Sequence, residues 1–128
     1  MKIAISANGT NLEENIVTTF CGCDFFLIVD TKANSLRSVV NETKGRPSEV
    51  GGTAGQLVSN QGIDAIITSD IGPQAMEIFE QYGIEVYQGE GKINDVIQQL
   101  EKERLPEITK AAVLRYTGLK QRKMKKEK

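Results

Sequence analysis

Histidine is absent from this chain of 128 residues, and cysteine occurs only twice. General acid–base catalysis therefore lacks the side chain that most often carries it. The two thiols, Cys21 and Cys23, cannot by themselves complete a four-thiolate metal site. No nucleophile and base at a recognisable spacing replace the missing histidine. We therefore expect a protein that is not an enzyme.

Long apolar runs and aromatic residues are also scarce. No apolar stretch approaches the roughly 20 residues that span a bilayer, so no membrane partner is expected. The first stretch, MKIAISANGT, lacks the apolar core and cleavage site of a signal peptide, which favours a reducing cytoplasm. Aromatic residues make up 5% of the chain and its net charge is −1, so a nucleic-acid surface is not expected either.

Positive charge is concentrated at the end of the chain. Residues 119–128, LKQRKMKKEK, include six basic residues and one acidic residue. Such a segment can contact nucleic acid or an anionic membrane, but a basic end is more often solvated and disordered. We interpret it as a disordered tail.

The rest of the chain predicts a single α/β domain over residues 1–104. Strands are predicted at 1–7, 25–30 and 36–40, the last two as a hairpin, and then at 63–68 and 84–87. Helices are predicted to begin at Gly51, after Gly72 and near Lys92. This order indicates a mixed sheet with helices against its faces. Residues 105–118 predict a further short helix, with an extended arm as the alternative.

Four loops are predicted to meet at the edge where the first strand ends. Open α/β sheets bind ligands at the carboxyl ends of their strands. Glycine-rich helix starts present free N–H groups and a positive dipole end, which favour an anion. The candidate ligand-binding residues are Asn8, Gly9, Gly51, Gly52, Thr53, Gly55, Ser69, Asp70 and Gly72.

Simpler interpretations exist for the same residues. The segment GGTAG, 51–55, lacks the Gly-Lys-Ser/Thr ending of a phosphate-binding loop, so it can equally be a flexible helix start with close packing. Ser69 and Asp70 are most simply a helix cap.

The two cysteines allow three interpretations. A disulfide across Gly22 would close a small, strained ring and is not expected in a reducing compartment. Two thiols in one loop can face one soft metal or an iron–sulfur centre, completed by a second subunit, by carboxylates or water, or by the sulfide of a cluster. Two buried thiols are the alternative.

Several stretches resemble the nitrogenase accessory-factor family, small proteins related to iron–molybdenum cofactor biosynthesis. They are MKIAI, FCGCDFFLIVD and the run from GGTAGQLV to YQGEG with the helix after it, so the resemblance covers roughly residues 1–103. It implies a five-stranded mixed sheet with one antiparallel strand, helices on both faces and a ribonuclease-H-like motif. It also implies a carrier or chaperone for an iron–sulfur or molybdenum–sulfur cluster.

The same resemblance suggests which residues bind the metal. Cys23 matches a cysteine of the family and Cys21 is an addition, so both are predicted as metal ligands. A histidine that often precedes the glycine-rich helix in the family is replaced here by Val50-Gly51, which leaves thiolates as the only soft ligands.

Two functions are therefore weighed. In the first, the protein carries a metal cluster or precursor and works with a cofactor-assembly protein, as a monomer or a homodimer. In the second, it is an anion- or nucleotide-binding module or a ribonuclease-H-like hydrolase. Only Asp70 and Glu90 are placed as carboxylates for such a hydrolase, and Ser6 stands where an acid would be needed.

Overall fold

The computed structural model of the protein describes residues 1–17, 20–44 and 50–108. The side chains of Cys21 and of residues 50–53 lie outside this description. The predicted basic tail, 119–128, also lies outside it.

The described residues form a mixed sheet of six strands in the order β3-β2-β1-β4-β5-β6. Strands β1, β4 and β5 run parallel to one another, whereas β2 is antiparallel to β1 and β3, and β6 is antiparallel to β5. The strands are β1 (Lys2–Ala7), β2 (Phe25–Asp30), β3 (Ser35–Val40), β4 (Ala65–Thr68), β5 (Glu85–Gln88) and β6 (Glu107–Ile108).

Three α-helices and one short 3-10 turn complete the described fold. They are α1 (Val50–Ser59), α2 (Pro73–Gln81), α3 (Ile93–Glu101) and the 3-10 turn (Phe20–Gly22). Gly62 and Gly83 follow α1 and α2 with φ of 72° and 70°, a conformation that costs glycine little. Both therefore end a helix and turn the chain into the next strand.

The sheet buries both of its faces. Because side chains alternate along a strand, Ala4 of β1 faces α1 and α2, whereas Ile3 and Ile5 face α3. On the α1/α2 face the helices contribute residues such as Ala54, Val58, Ala75 and Phe79. On the α3 face the helix contributes Ile93, Val96, Ile97 and Leu100. The expected α/β sheet with helices on both faces is confirmed.

One element differs from the expectation. Five strands were expected, but β6 adds a sixth by pairing Glu107 with Tyr87. Residues 107–108 are therefore extended, and the predicted helix over 105–118 is wrong in this part because Pro106 disfavours helical backbone at Leu105. Residues 109–118 lie outside the description. The ribonuclease-H-like motif stays a prediction.

Candidate functional site at the upper edge of the sheet

We call the edge at which β1, β4 and β5 end the upper edge. The loop between β1 and β2 crosses it. The N–H of Val17 donates to the Ser6 carbonyl (3.1 Å), and the N–H of Ile16 donates to Gly91 (2.9 Å). The loop therefore runs over the ends of β1 and β5 and brings its second half back to β2.

The 3-10 turn lies on this edge beside the start of α2. The N–H of Phe20 donates to the Asp70 carbonyl (3.3 Å), and its ring lies 5.2 Å from that of Phe26 and 5.4 Å from that of Phe79. The turn also contacts α1. The buried Phe20 thus fixes the backbone of Cys21 next to both helices of the α1/α2 face.

Cys23 is buried in the protein interior and is not exposed at the upper edge. Its side chain is fully buried, its thiol donates to the Phe20 carbonyl (3.3 Å), and Asn41 Nδ2 lies 3.8 Å from the sulfur. Desolvation by burial raises the pKa of this thiol to about 12, so it is protonated at neutral pH. A buried neutral thiol is a poor metal ligand. In this conformation the structure does not support Cys23 as half of a two-thiol site.

The N-terminus of α3 is closed by the loop. The N–H groups of Ile93 and Asn94 donate to the carbonyls of Glu14 (2.9 Å) and Leu12 (3.0 Å). These are the groups that would otherwise be open to an anion. Lys92, which precedes α3, pairs with Glu13 at 3.5 Å. This helix therefore does not contribute to a binding site.

The N-terminus of α2 is open. Its cap residue is Gly72, which offers no side chain to the first turn, and Gly72, Pro73 and Gln74 are exposed. Among the described residues, a Cβ on Gly72 would meet no atom within 4 Å. The prediction of Gly72 at an exposed helix start is confirmed in placement, and its role in binding stays a prediction.

Ser69 and Asp70 do not cap this helix, so that interpretation is wrong. The Ser69 hydroxyl donates to the Val17 carbonyl (3.1 Å), and the Asp70 carbonyl accepts from the Thr68 hydroxyl (3.1 Å). Both residues instead hold the loop in place. The Asp70 carboxylate is exposed and, being negative, would repel an anion at this edge.

Three other predicted residues have structural roles. Asn8 Oδ1 accepts from the N–H of Asp24 (3.0 Å) and ties the loop to β2. A Cβ on Gly9 would collide with the Glu14 side chain, which covers it. Gly55 is buried where α1 packs on α2, and a Cβ there would lie 3.5 Å from the Ala75 Cα, too far inside to meet a ligand.

Gly51, Gly52 and Thr53 form the first turn of α1, as predicted. Because α1 leads into the parallel strand β4, its first turn lies at the upper edge. The structure therefore brings together the first turns of α1 and α2 and the backbone of Cys21. Their assignment as binding residues remains a prediction.

Two buried polar residues at this edge were not predicted. Asn41 donates from Nδ2 to the Cys23 carbonyl (2.9 Å). Ser6 is fully buried on β1, and its hydroxyl has no hydrogen-bond partner among the residues that the structure describes. The signal for Ser6 was available in the sequence, since it is a polar residue inside the apolar strand MKIAISA.

A metal ion would find few ligands among the residues that the structure describes. No three Cys, Asp or Glu side chains among them lie close enough to hold one. Asp70 and Glu90, the carboxylates considered for a hydrolase, belong to no such group. Cys21, whose side chain lies outside the description, stays a predicted metal ligand.

An open groove of about 400 Å³ lies at the opposite edge of the sheet. It is lined by Met1, Lys2, Asp30, Lys32, Ala33, Gly62 and Asp64. Its lining mixes acids and bases, and the Asp64 carboxylate already accepts from the N–H of Lys2 (2.8 Å). The groove therefore shows no preference for an anion.

The fold and this edge define a class: a small α/β domain with the first turns of two helices at the carboxyl ends of its parallel strands. Within that class, the chain belongs to the dinitrogenase iron–molybdenum cofactor family, whose model matches residues 1–103. The resemblance inferred from the sequence is thereby confirmed. Within the described residues no helix has both the length and the apolar composition to cross a bilayer.

The chain is also similar to individual proteins. The uncharacterised protein MJ0580 of Methanocaldococcus jannaschii is 33% identical over 90 residues, which cover 68% of this chain and 73% of that protein. The NifB-like protein TM1290 of Thermotoga is 26% identical with a TM-score of 0.74, covering 84% of this chain and 93% of that one. The apo form of the orange protein of Desulfovibrio gigas shares the fold, with a TM-score of 0.80 at 24% identity, covering 84% and 92% of the two chains.

Proposed function

We propose that the protein is a non-catalytic carrier that binds an anionic metal–sulfur cluster or cluster precursor at the upper edge. The cluster is of the iron–sulfur or molybdenum–sulfur type. The carrier delivers it to a cofactor-assembly protein in a reducing cytoplasm. Membership of the iron–molybdenum cofactor family supports the cofactor class. The order β3-β2-β1-β4-β5, in which only β2 is antiparallel, supports the ribonuclease-H-like motif.

The observation that carries the proposal is the juxtaposition of the Cys21 turn with the open start of α2. Gly72 leaves the first-turn N–H groups of α2 without a side-chain cap. A helix start carries roughly half a positive charge, so it attracts a sulfide-bearing anion. The hydrogen bond from Phe20 to Asp70 holds the turn against this helix start.

Cys21 is the proposed anchor. A thiol close to a helix N-terminus has a lowered pKa and forms the thiolate that soft metals bind. The 3-10 turn contacts α1, whose glycine-rich first turn lies on the same edge. Cys23 acts differently, because its buried thiol packs under the turn and holds Phe20 in place. One thiolate and several N–H groups suffice for a cluster that supplies its own bridging sulfide.

Cluster reconstitution of matched cysteine variants tests the proposal. The purified protein would be treated anaerobically with tetrathiomolybdate, or with iron and sulfide, and desalted. We expect visible charge-transfer bands in the wild type and in Cys23→Ser, and at least a tenfold loss of band intensity in Cys21→Ser. The change from sulfur to oxygen removes a soft ligand while keeping the shape of the side chain.

Circular dichroism of each variant provides the control, since Cys23→Ser places a hydroxyl in the core and has to be shown folded. Equal bands in Cys21→Ser and the wild type would rule out the anchor. Loss of the bands in a folded Cys23→Ser protein would show that the buried thiol is the ligand after all. NMR shifts at Gly51 and Gly72 produced by a nucleotide, without any metal, would favour the alternative nucleotide-binding module.

A further inference from the structure

Strand β3 is an edge strand of the described sheet. In the part of the chain that the structure describes, it pairs only with β2. Natural edge strands are protected by proline, lysine, bulges or a covering element. The sequence SLRSVV contains neither proline nor lysine, and its pairing with β2 is continuous. Its one charged residue, Arg37, is turned away to Gln61 (Nη1 to Oε1, 2.8 Å).

The same strand exposes apolar side chains. Leu36 is 42% exposed and Val40 is 59% exposed. Both pair with β2 residues, Val29 and Phe25, that lie on the α3 face, so they form one stripe on that face. Only two other large apolar residues are this exposed among those described. A free edge and an apolar stripe on one strand are typical of an interaction surface.

Hydrogen-bond direction shows which groups of β3 face outward. The N–H of Asn41 donates to the Asp24 carbonyl (2.9 Å), which makes this pair a hydrogen-bonded one. In an antiparallel ladder such pairs alternate, so Val39 and Arg37 also bond to β2. Leu36, Ser38 and Val40 therefore direct their N–H and C=O groups to the free edge. The Val40 carbonyl accepts from Glu42 (3.0 Å) and retains its second lone pair.

We infer that two copies of the chain pair through this edge, antiparallel and about a two-fold axis at Ser38. When Ser38 of one copy lies opposite Ser38 of the other, the outward N–H and C=O groups of the two strands face one another. Leu36 of each copy then lies opposite Val40 of the other. Apolar cross-strand pairs of this kind stabilise a sheet by about 0.2–1 kcal/mol each.

Charge disfavours one of the two neighbouring registers. Shifting the second copy so that Leu36 opposes Ser38 would also match outward groups. It would set Arg37 directly opposite Arg37, and like charges in that position destabilise a sheet. It would also separate Leu36 from Val40. The opposite shift sets Val39 opposite Val39 without a charge clash, but it pairs Val40 with Ser38 and separates Leu36 from Val40. The register centred on Ser38 is therefore the one that pairs both apolar side chains, in the self-complementary way that a two-fold interface requires.

Residues 109–128 of the same chain are the other candidate occupant, and they continue from the strand that lies farthest from β3 in the described sheet. The described chain ends at Ile108 in β6, at the far side of the sheet. Five strand spacings of about 4.8 Å separate β6 from β3, so the end of the chain begins about 24 Å away. A second copy presents the complementary edge directly.

Sedimentation and cross-linking of the metal-free protein test the inference, independently of any cluster. We expect the full chain to form a dimer at high micromolar concentration, because a six-residue edge is small for a permanent interface. Val40→Lys and Ser38→Pro should each weaken the dimer at least tenfold. Lysine protects an edge, and proline at this position removes an outward N–H without breaking a bond to β2.

Ser38→Cys tests the register. Hydrogen-bonded pairs place Cα atoms about 5.5 Å apart, within disulfide range, so Ser38→Cys should oxidise to a covalent dimer linked at residue 38 by mass spectrometry. Val39→Cys is the matched control, since it keeps the Arg37 charge, would oppose Arg37 of the second copy and should not cross-link. Tyr82→Lys, a change at another exposed apolar residue, should leave dimerisation unchanged. A monomer at every concentration, or a dimer indifferent to Val40→Lys and Ser38→Pro, would overturn the inference.

Discussion

The burial of Cys23 could not be predicted from its spacing. The backbone of Cys21 lies in the 3-10 turn, and Cys23 begins the approach to β2. The Phe20 carbonyl accepts from the Cys23 thiol, and Asn41 Nδ2 lies 3.8 Å from its sulfur. Sequence spacing places both cysteines at the upper edge, but the enclosure of the Cys23 thiol depends on Asn41, which lies 18 positions further along the chain.

The buried Cys23 thiol should make stability depend on pH in the alkaline range. The unfolded chain loses this proton near pH 9.0, whereas the folded protein retains it up to about 12. The unfolded state therefore binds fewer protons in this interval, and the free energy of unfolding falls as pH rises. At pH 10 the loss amounts to about 1.4 kcal/mol.

Urea denaturation of the wild type and Cys23→Ala at pH 8 and pH 10 measures this term. Lysines and tyrosines also titrate there, but they are common to both proteins and cancel in the difference. The destabilisation caused by Cys23→Ala should shrink by about 1.4 kcal/mol between the two pH values. A difference that stays constant would mean that the thiol ionises as easily in the folded protein as in the unfolded chain.

Gly55 and Gly89 differ in how much room their surroundings leave for a methyl group. A Cβ on Gly55 would lie 3.5–3.6 Å from Ala75 and Ile78, an ordinary contact. A Cβ on Gly89 would lie 2.8 Å from Ile67 Cγ2 and 3.2 Å from Val96 Cγ1. Gly55→Ala should therefore raise the free energy of unfolding by about 0.5–1 kcal/mol, through better helix propensity in α1.

Gly89→Ala should have the opposite effect and lower the free energy of unfolding. Its methyl group would force Ile67 and Val96 apart on the α3 face, at a cost of about 1–3 kcal/mol. Thermal and urea unfolding of both variants give the comparison. Gly55→Ala should also leave cluster reconstitution intact, since Gly55 is buried between α1 and α2. Destabilisation by Gly55→Ala would show that the two helices approach more closely than described.

Helices with a clear hydrophobic period could be predicted from the sequence. A strand that forms by pairing with a segment distant in the sequence could not. The stripe Ile93, Val96, Ile97 and Leu100 marks α3, and Pro73 marks the start of α2. Strand β6 has only two residues and exists because β5 has a free edge, which no local pattern shows. Ser69 was interpreted as a cap because serine favours that position, but the loop carbonyl of Val17 competes for its hydroxyl.

Chain topology determines which helix start can bind. The β1–β2 loop covers the start of α3 and bonds to its N–H groups, whereas it only borders the start of α2. The sequence predicts that these helix starts share an edge, because strands β1, β4 and β5 are parallel. It does not show which one is covered, since that depends on the path of the loop. The start of α3, which was not among the predicted binding residues, is thus excluded from the candidate site.

The antiparallel dimer and the carrier function together predict one cluster per chain. Pairing through β3 turns the upper edges of the two copies in opposite directions, so the Cys21 turns lie at least a strand length of about 20 Å apart. Two chains then cannot share one cluster through their cysteines. Val40→Lys should therefore lower dimerisation without changing the metal bound per chain.

Metal analysis of reconstituted wild type and Val40→Lys, with sedimentation of the same samples, measures both quantities. Tyr82→Lys again serves as the matched surface change. Equal metal content in monomer and dimer would support independent sites. A metal content that falls together with the dimer in Val40→Lys would contradict independent sites and would show that pairing through β3 is needed to hold the cluster.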